Sequence, residues 1–403
     1  MYNTEDGECV VHAVNSVDLV CYPIEQASMI HLALIQLLTL KPLDYRKHLM
    51  LLLSGIASDW PILRDYSTSV LKHLLGGNVC EFFASHQDFI VDQLSRRMQL
   101  PHLYAETPRI IAAILSNSMA DARFVLACSD VLVHRVMEQL ALYQRFDSYA
   151  ADLMAMMEAT CVVLSKMEPV HDPSLPTEQE EEKDEDPLSV QQVAALELGL
   201  VAQYFVLSDS KRTQLQALKA MAAVMGLFAC ETPRLCQFIH KAWPRLVLLM
   251  QNVVVDRPAH SITQLDRDLM VQWCDFVAAT VRCCGSFMRE RLVGDFWRKI
   301  IRNSRKEAAS SFTNSNHDAV LQATGKLLST AVTLCNVPAE VLLEMLPVAD
   351  AELKAVIAKV EPDAFWFYDQ VQCGRLDSLL WQNAAEEHFF ASYSKEDLNK
   401  YIL

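Results

Sequence analysis

The sequence is short of the residues that turn a chain, with 10 glycines and 15 prolines among 403 residues, about half the usual combined share of roughly 12%. Turn chemistry on that scale does not serve a many-stranded sandwich, a barrel or a Rossmann sheet, each of which needs frequent reversals. Positive charge is scarce as well: 35 Lys and Arg stand against 50 Asp and Glu, for a net charge of −15. Sequence-independent attraction to phosphates comes from Lys and Arg, so nucleic acid is not an expected partner. No run of 18 uncharged apolar residues occurs, the densest stretches resembling HLALIQLLTL at residues 31–40, so no spanning helix and no membrane partner are expected. The segment MYNTEDGECV does not pair basic residues with an apolar core as a secretory signal does. The 12 cysteines, from Cys9 to Cys373, include no C-x-x-C pair and read as reduced thiols of a cytosolic or nuclear protein.

Catalytic signatures are missing too. There is no His-Glu-x-x-His, no Gly-x-Ser-x-Gly and no phosphate-binding glycine loop, Gly325-Lys326 having neither the preceding glycine nor the following Ser or Thr. Cys274, Cys283 and Cys284 form the densest thiol cluster, without zinc-finger spacing. On a helix Cys274 and Cys284 project about 80° apart and lie three turns from each other, which suits buried small apolar side chains better than metal ligands. Paired carboxylates abound only in an acidic stretch where water solvates them. The expectation is no catalytic residue, no metal, no cofactor and no enzyme activity.

What remains is apolar and helical in period. Hydrophobic residues make up 52% and charged residues 21%, which excludes a disordered chain, and the length suits two or three compact units at ~150 residues each. Apolar positions recur along one helical face in Leu132, Val136, Leu140 and Tyr143 and again in Leu353, Val356, Ile357 and Val360. Thr107-Pro108 and Thr232-Pro233, both within a repeated Glu-Thr-Pro-Arg, offer an N-cap hydroxyl followed by a proline at the first helical position. An Asp-led polar turn enters an apolar helix at Asp121, Asp209 and Asp350. Helix pairs of this kind stack on their neighbours, so the expected fold is all-α, a HEAT/armadillo-like α-solenoid.

One segment breaks the pattern. Residues 169–187 hold four prolines and a charge run from Glu178 to Asp186, and read as a flexible acidic linker. The expected organisation is an N-terminal HEAT-like arm over 1–168, the linker, a C-terminal HEAT-like arm over 188–384, and a tail over 385–403 as a candidate cap. Thr177, with Glu180 three residues on, is a candidate site for an acid-directed kinase; a plain solvated connector explains the same residues. Against the acidic background, Arg289, Arg291, Arg298, Lys299, Arg302, Arg305 and Lys306 make a candidate basic patch for an acidic partner. A solvated helix face ending in cations accounts for it equally. Phe365, Trp366, Phe367 and Tyr368 follow a helix start at Pro362 and fan over about 300° of its circumference, more than one buried stripe holds. Either the terminus folds back through Trp381, Phe389 and Phe390, or these aromatics bind a partner helix.

Several segments resemble the Tel-two-interacting protein one (Tti-one) family. In the first half they are Leu94–Leu100, Thr107-Pro108, Leu115–Asn117 and Asp130–Val133; in the second, Ala242-Trp243-Pro244-Arg245-Leu246, Gly285-Ser-Phe287-Met-Arg289-Glu-Arg291 and Val360-Glu-Pro362-Asp363-Ala-Phe-Trp366-Phe367. Family members extend further at the N-terminus, and the residues after Cys373 match no family segment. The resemblance implies a non-catalytic scaffold of the Triple T complex, partnered by Tel-two-like and Tti-two-like subunits. It further implies work with RuvB-like ATPases and Hsp-ninety co-chaperones on phosphatidylinositol 3-kinase-related kinase clients of the mTOR, ATM and ATR class. The resemblance nominates Tti-two for the aromatic cluster. A competing expectation for an acidic solenoid is a nuclear transport receptor or adaptor, binding a Ran-type GTPase or basic cargo signals.

Overall fold

A computed structural model of the chain describes residues 29–36, 45–74, 79–117, 147–167, 188–228, 233–255, 262–301, 318–346, 349 and 351–372. Among them every regular element is helical and no strand occurs, so the fold is all-α as expected. The chain forms two compact units, Met1–Leu227 and Phe228–Leu403.

The first unit contains α1 (residues 29–36), α2 (Tyr45–Ile56), α3 (Pro61–Leu74), α4 (Val79–Ser85), α5 (Gln87–Met98), α6 (Thr107–Ser116), α7 (Asp147–Leu164), α8 (Val190–Phe205) and α9 (Lys211–Met225). Helix α7 is its centre. Tyr149, Leu153, Met154, Met156, Met157, Cys161 and Leu164 spread over about 160° of its circumference and are all buried, while Ala151 and Ala159 are buried on the other side and Val162 is left exposed, a buried face much wider than a single stripe. It packs against α6 and along α9. Local signals set the helix starts after the acidic stretch: Ser189 and Gln192 form a reciprocal capping box on α8, and Ser210 accepts the Thr213 N–H on α9. Thr107 departs from its expected role. Its hydroxyl donates to the Tyr104 carbonyl at 2.8 Å and Glu106 holds the cap position, because the preceding turn already supplies an acceptor.

Two helices meet closely at Gly55 of α2. A Cβ there would collide with Ser67 Oγ on α3 and lie 2.9 Å from Ile35 Cδ1 on α1. Ser67 points its hydroxyl at the Leu63 carbonyl, 2.6 Å away, and His31 Nε2 on α1 donates to the Leu51 carbonyl at 2.9 Å.

The second unit contains α10 (Pro233–Met250), which runs on as a π-helical turn over Gln251–Val255, and α11 (Gln264–Cys284). A 3-10 turn over Gly285–Met288 leads to α12 (Arg289–Arg291), continued by a π-helix over Leu292–Ile301. Then come α13 (Asp318–Leu334), α14 (Ala339–Met345), α15 (Ala351–Val360) and α16 (Pro362–Gln372). Thr263 and Asp266 cap α11 reciprocally, and Gly285 ends it with a φ of 48° that a side chain would resist. Helix α13 packs between α11 and α15, and α16 closes on α14 and α15.

The compact units part between Leu227 and Phe228, whereas the sequence places the break at residues 169–187, which lie outside the described residues. So do the apolar stripe from Leu132 to Tyr143 and the tail over 385–403. Helices on both sides of the acidic stretch belong to the first unit, α7 before it and α8 and α9 after it.

Two outcomes follow from this packing. A brief protease cut within residues 169–187 is expected to give two bands on a denaturing gel that still elute together on native gel filtration, held by α7 against α9; separate elution refutes that interface. Gly55→Val is expected to lower stability by about 1–3 kcal/mol in urea unfolding, because the added carbons overfill the α2–α3 crossing; an unchanged midpoint contradicts the close approach.

Candidate functional site

Helix α16 sorts its aromatics by position. Ala364 and Phe367 are buried against the helices beneath, Phe365 and Tyr368 are half-buried, and Trp366 is 50% exposed. The Lys354 ammonium of α15 lies 5.6 Å from the centre of the Tyr368 ring, a cation–π distance. A single stripe therefore does not hold all of them, as the 300° fan requires. Trp381, Phe389 and Phe390, the expected cap, lie outside the described residues. Thr177 does too.

The basic run does not form one patch among the described residues. Arg289 and Arg298 are exposed. Arg291 is half-buried and engaged along the surface: its guanidinium stacks 4.0 Å from the centre of the Phe287 ring, donates to the Phe287 carbonyl at 2.9 Å, and donates to His240 Nδ1 at 2.9 Å. The Lys299 side chain and all of Arg302, Arg305 and Lys306 lie outside the described residues. Trp297, set among these cations in the sequence, is 3% exposed and is a core side chain rather than a stacking platform.

The reason is a lattice of buried indoles that the sequence does not announce. Trp243 on α10 donates through Nε1 to Asp295 Oδ2 at 2.8 Å, and Trp297 donates to Glu344 Oε2 at 2.9 Å. Trp273 on α11 donates to the Leu246 carbonyl at 3.0 Å and sits between Trp243 and Phe296, with ring centres 6.3 and 5.1 Å away. Asp295 and Trp297 belong to the π-helix, two residues apart, and so face different neighbours. Pro244 lies inside α10 and has no N–H to give the His240 carbonyl one turn back; Arg291 arrives at that same residue's ring. The Gly285–Arg291 segment thus meets α10 at His240, three residues before Trp243.

Among the described residues four thiols, Cys161, Cys274, Cys284 and Cys335, are buried as small apolar groups are, Cys236 and Cys283 are half-buried and Cys80 is exposed. Cys274 and Cys284 are buried, and Cys283 donates to the Phe228 carbonyl at 3.2 Å. Burial pushes the Cys274 and Cys161 thiols up to about 12 and Cys335 to about 11, far from the range in which a thiolate attacks or ligates. Among the described residues no group of three His, Cys, Asp or Glu side chains is placed to hold a metal ion, and no helix is long and apolar enough to cross a membrane.

The first unit holds a charge cluster that sequence reasoning missed. Arg109 donates to Asp152 Oδ2 through Nε and Nη2 at 3.2 and 3.0 Å, and to Asp59 Oδ2 through Nη1 at 3.0 Å. Arg212 of α9 comes within 3.7 Å of Asp152 Oδ1. Burial pushes the Asp152 carboxyl above the ordinary range, Arg109 and then Arg212 pull it down, and Asp59 adds to the rise. The partners are 43 residues apart, beyond any periodic pattern; the one available signal was that Arg109 closes the first Glu-Thr-Pro-Arg.

Arg109→Leu leaves the Asp152 carboxylate with only the longer contact to Arg212 and is expected to cost about 2–3 kcal/mol near neutral pH. That is below the roughly 3–5 of a fully buried pair, since the Arg109 side chain is 33% exposed. Without Arg109 the folded state holds the Asp152 proton more tightly than the unfolded chain does. The deficit should therefore shrink as the pH falls toward the ordinary carboxylate range and vanish in Arg109→Leu/Asp152→Asn. Urea unfolding at a series of pH values checks this; a deficit that is constant with pH contradicts the weakened pairing of Asp152.

Compared with protein-family models, with curated proteins and with solved structures, the chain finds no match among any of them.

Proposed function

We propose that this chain is a non-catalytic helical scaffold, built like a HEAT solenoid and acting as the Tti-one family does. In this reading it joins Tel-two-like and Tti-two-like subunits in a Triple T complex that works with RuvB-like ATPases and Hsp-ninety co-chaperones. The cargo is newly made kinases of the phosphatidylinositol 3-kinase-related class, handled in the cytoplasm and nucleus. The observation that carries the reading is the half-exposed indole of Trp366 on a helix anchored beneath by Ala364 and Phe367. A large aromatic held out on a rigid helix is the usual anchor of a protein interface, where such residues contribute ~2 kcal/mol or more. It sits in the segment Pro362-Asp363-Ala-Phe-Trp366-Phe367, one of those that resemble the family. The packing of the described residues entirely as helices also supports the scaffold reading.

Affinity purification with Tel-two and Tti-two is the test. Trp366→Ala is expected to weaken capture about 30-fold at an unchanged melting temperature, the equivalent of ~2 kcal/mol, whereas Phe367→Ala, which opens the core, lowers melting. Recovery of a Ran-type GTPase or basic cargo in place of Tel-two and Tti-two, or capture that falls only in step with melting, overturns the proposal.

A further inference from the structure

A helix favours cations at its C-terminal end, so a carboxylate in the last turn stands against the helix's own preference. In α16 that residue is Asp369, exposed in a last turn that contains no basic side chain. Asp363, also exposed, lies in the first turn, where the dipole suits it. Trp366 falls midway. Residues three apart are neighbours on a helix surface, so Asp363, Trp366 and Asp369 make one outward face: an indole with a carboxylate one turn to either side. Among the described residues neither carboxylate is in an ion pair. The opposite face is already committed through Ala364 and Phe367, and Lys354 is engaged at Tyr368 on the flank.

The geometry points to this face as the receptor for an arginine carried on a helix of the protein partner, its guanidinium flat on the Trp366 ring and its N–H groups donating to Asp363 and Asp369. An indole alone accepts any apolar side chain. Carboxylates on both sides turn away acidic segments and reward a cation, and a planar guanidinium both stacks and forks where an ammonium does neither. The net charge of −15 makes the same selection at a distance, favouring the approach of a basic segment. This inference rests on the scaffold reading above and names the chemistry that the partner brings to Trp366.

The test uses the full chain, immobilised, with the purified Tel-two and Tti-two pair as probe at low and high salt, and the melting temperature of each variant recorded. Asp369→Lys suits the helix end and so should melt at or above the wild-type temperature, yet it places a cation against the incoming arginine. Capture is expected to fall by more than about tenfold. Asp363→Asn/Asp369→Asn should weaken low-salt capture about tenfold and flatten its salt dependence. If the wild type captures the pair and both variants capture it equally well, the arginine assignment is wrong while the scaffold reading stands. If the wild type captures nothing, both fall together. Should Asp369→Lys fail to fold, the double Asn variant decides: lost capture at wild-type melting supports the assignment, and retained capture overturns it.

Discussion

A polar group that leaves water on folding has to find its partner inside the protein or cost the fold its full desolvation, and in a chain this rich in apolar helices that condition decides which helix lies beside which. Apolar faces are permissive: Leu52 or Leu327, both fully buried, would pack against many neighbours. The indole nitrogens are not. Trp243 needs Asp295, Trp297 needs Glu344, and Trp273 takes the Leu246 carbonyl. Those bonds fix α10, the π-helical segment and α14 in one register. In the first unit Arg109 has the same function for two carboxylates, Asp152 and Asp59, joining α6 to α7 and to the turn before α3.

The π-helix is what allows one short segment to serve two tryptophans. Helices of this kind are rare and mostly single turns, yet here ten residues from Leu292 to Ile301 adopt the form. Asp295 and Trp297 project to different sides of it, toward α10 and α14, while Phe296 between them reaches Trp273. Arg289 and Arg298 are left outside. A run that looks uniformly basic in one dimension is thereby divided into a buried aromatic part, a half-buried Arg291 held by Phe287 and His240, and exposed cations.

Much of the helical character was legible because it is local. Of the expected stripe, Leu353 and Ile357 are buried, Val356 is half-buried and Val360 is exposed, so the 3.6-residue period gives the helix and its buried side but overstates the stripe by its last member. The fan of aromatics on α16 was legible for the same reason, and of the thiol cluster read as buried apolar groups Cys274 and Cys284 are buried while Cys283 is half-buried. Thr107 shows where local reading stops: the sequence contains the cap residue and the proline, and the Tyr104 carbonyl still takes the hydroxyl. Nothing local ties Arg109 to Asp152, or Trp243 to Asp295 across 52 residues. Such pairs are selected by tertiary packing, and the signals they leave, a repeated tetrapeptide or a Trp-Pro step inside a helix, do not name their partners.

Helix α7 has one more consequence, for the order in which the chain is made. Its far side is covered by α9, and the bond from Gln216 to Glu158 joins residues 58 positions apart. At ~5–20 residues per second, translation takes roughly three to twelve seconds to supply that cover. During that interval Leu153, Met154 and Met157, all but inaccessible to water in the finished protein, belong to a nascent chain whose central helix has only part of its coat. The first unit thus passes on the ribosome through a stage at which its central helix is only partly covered.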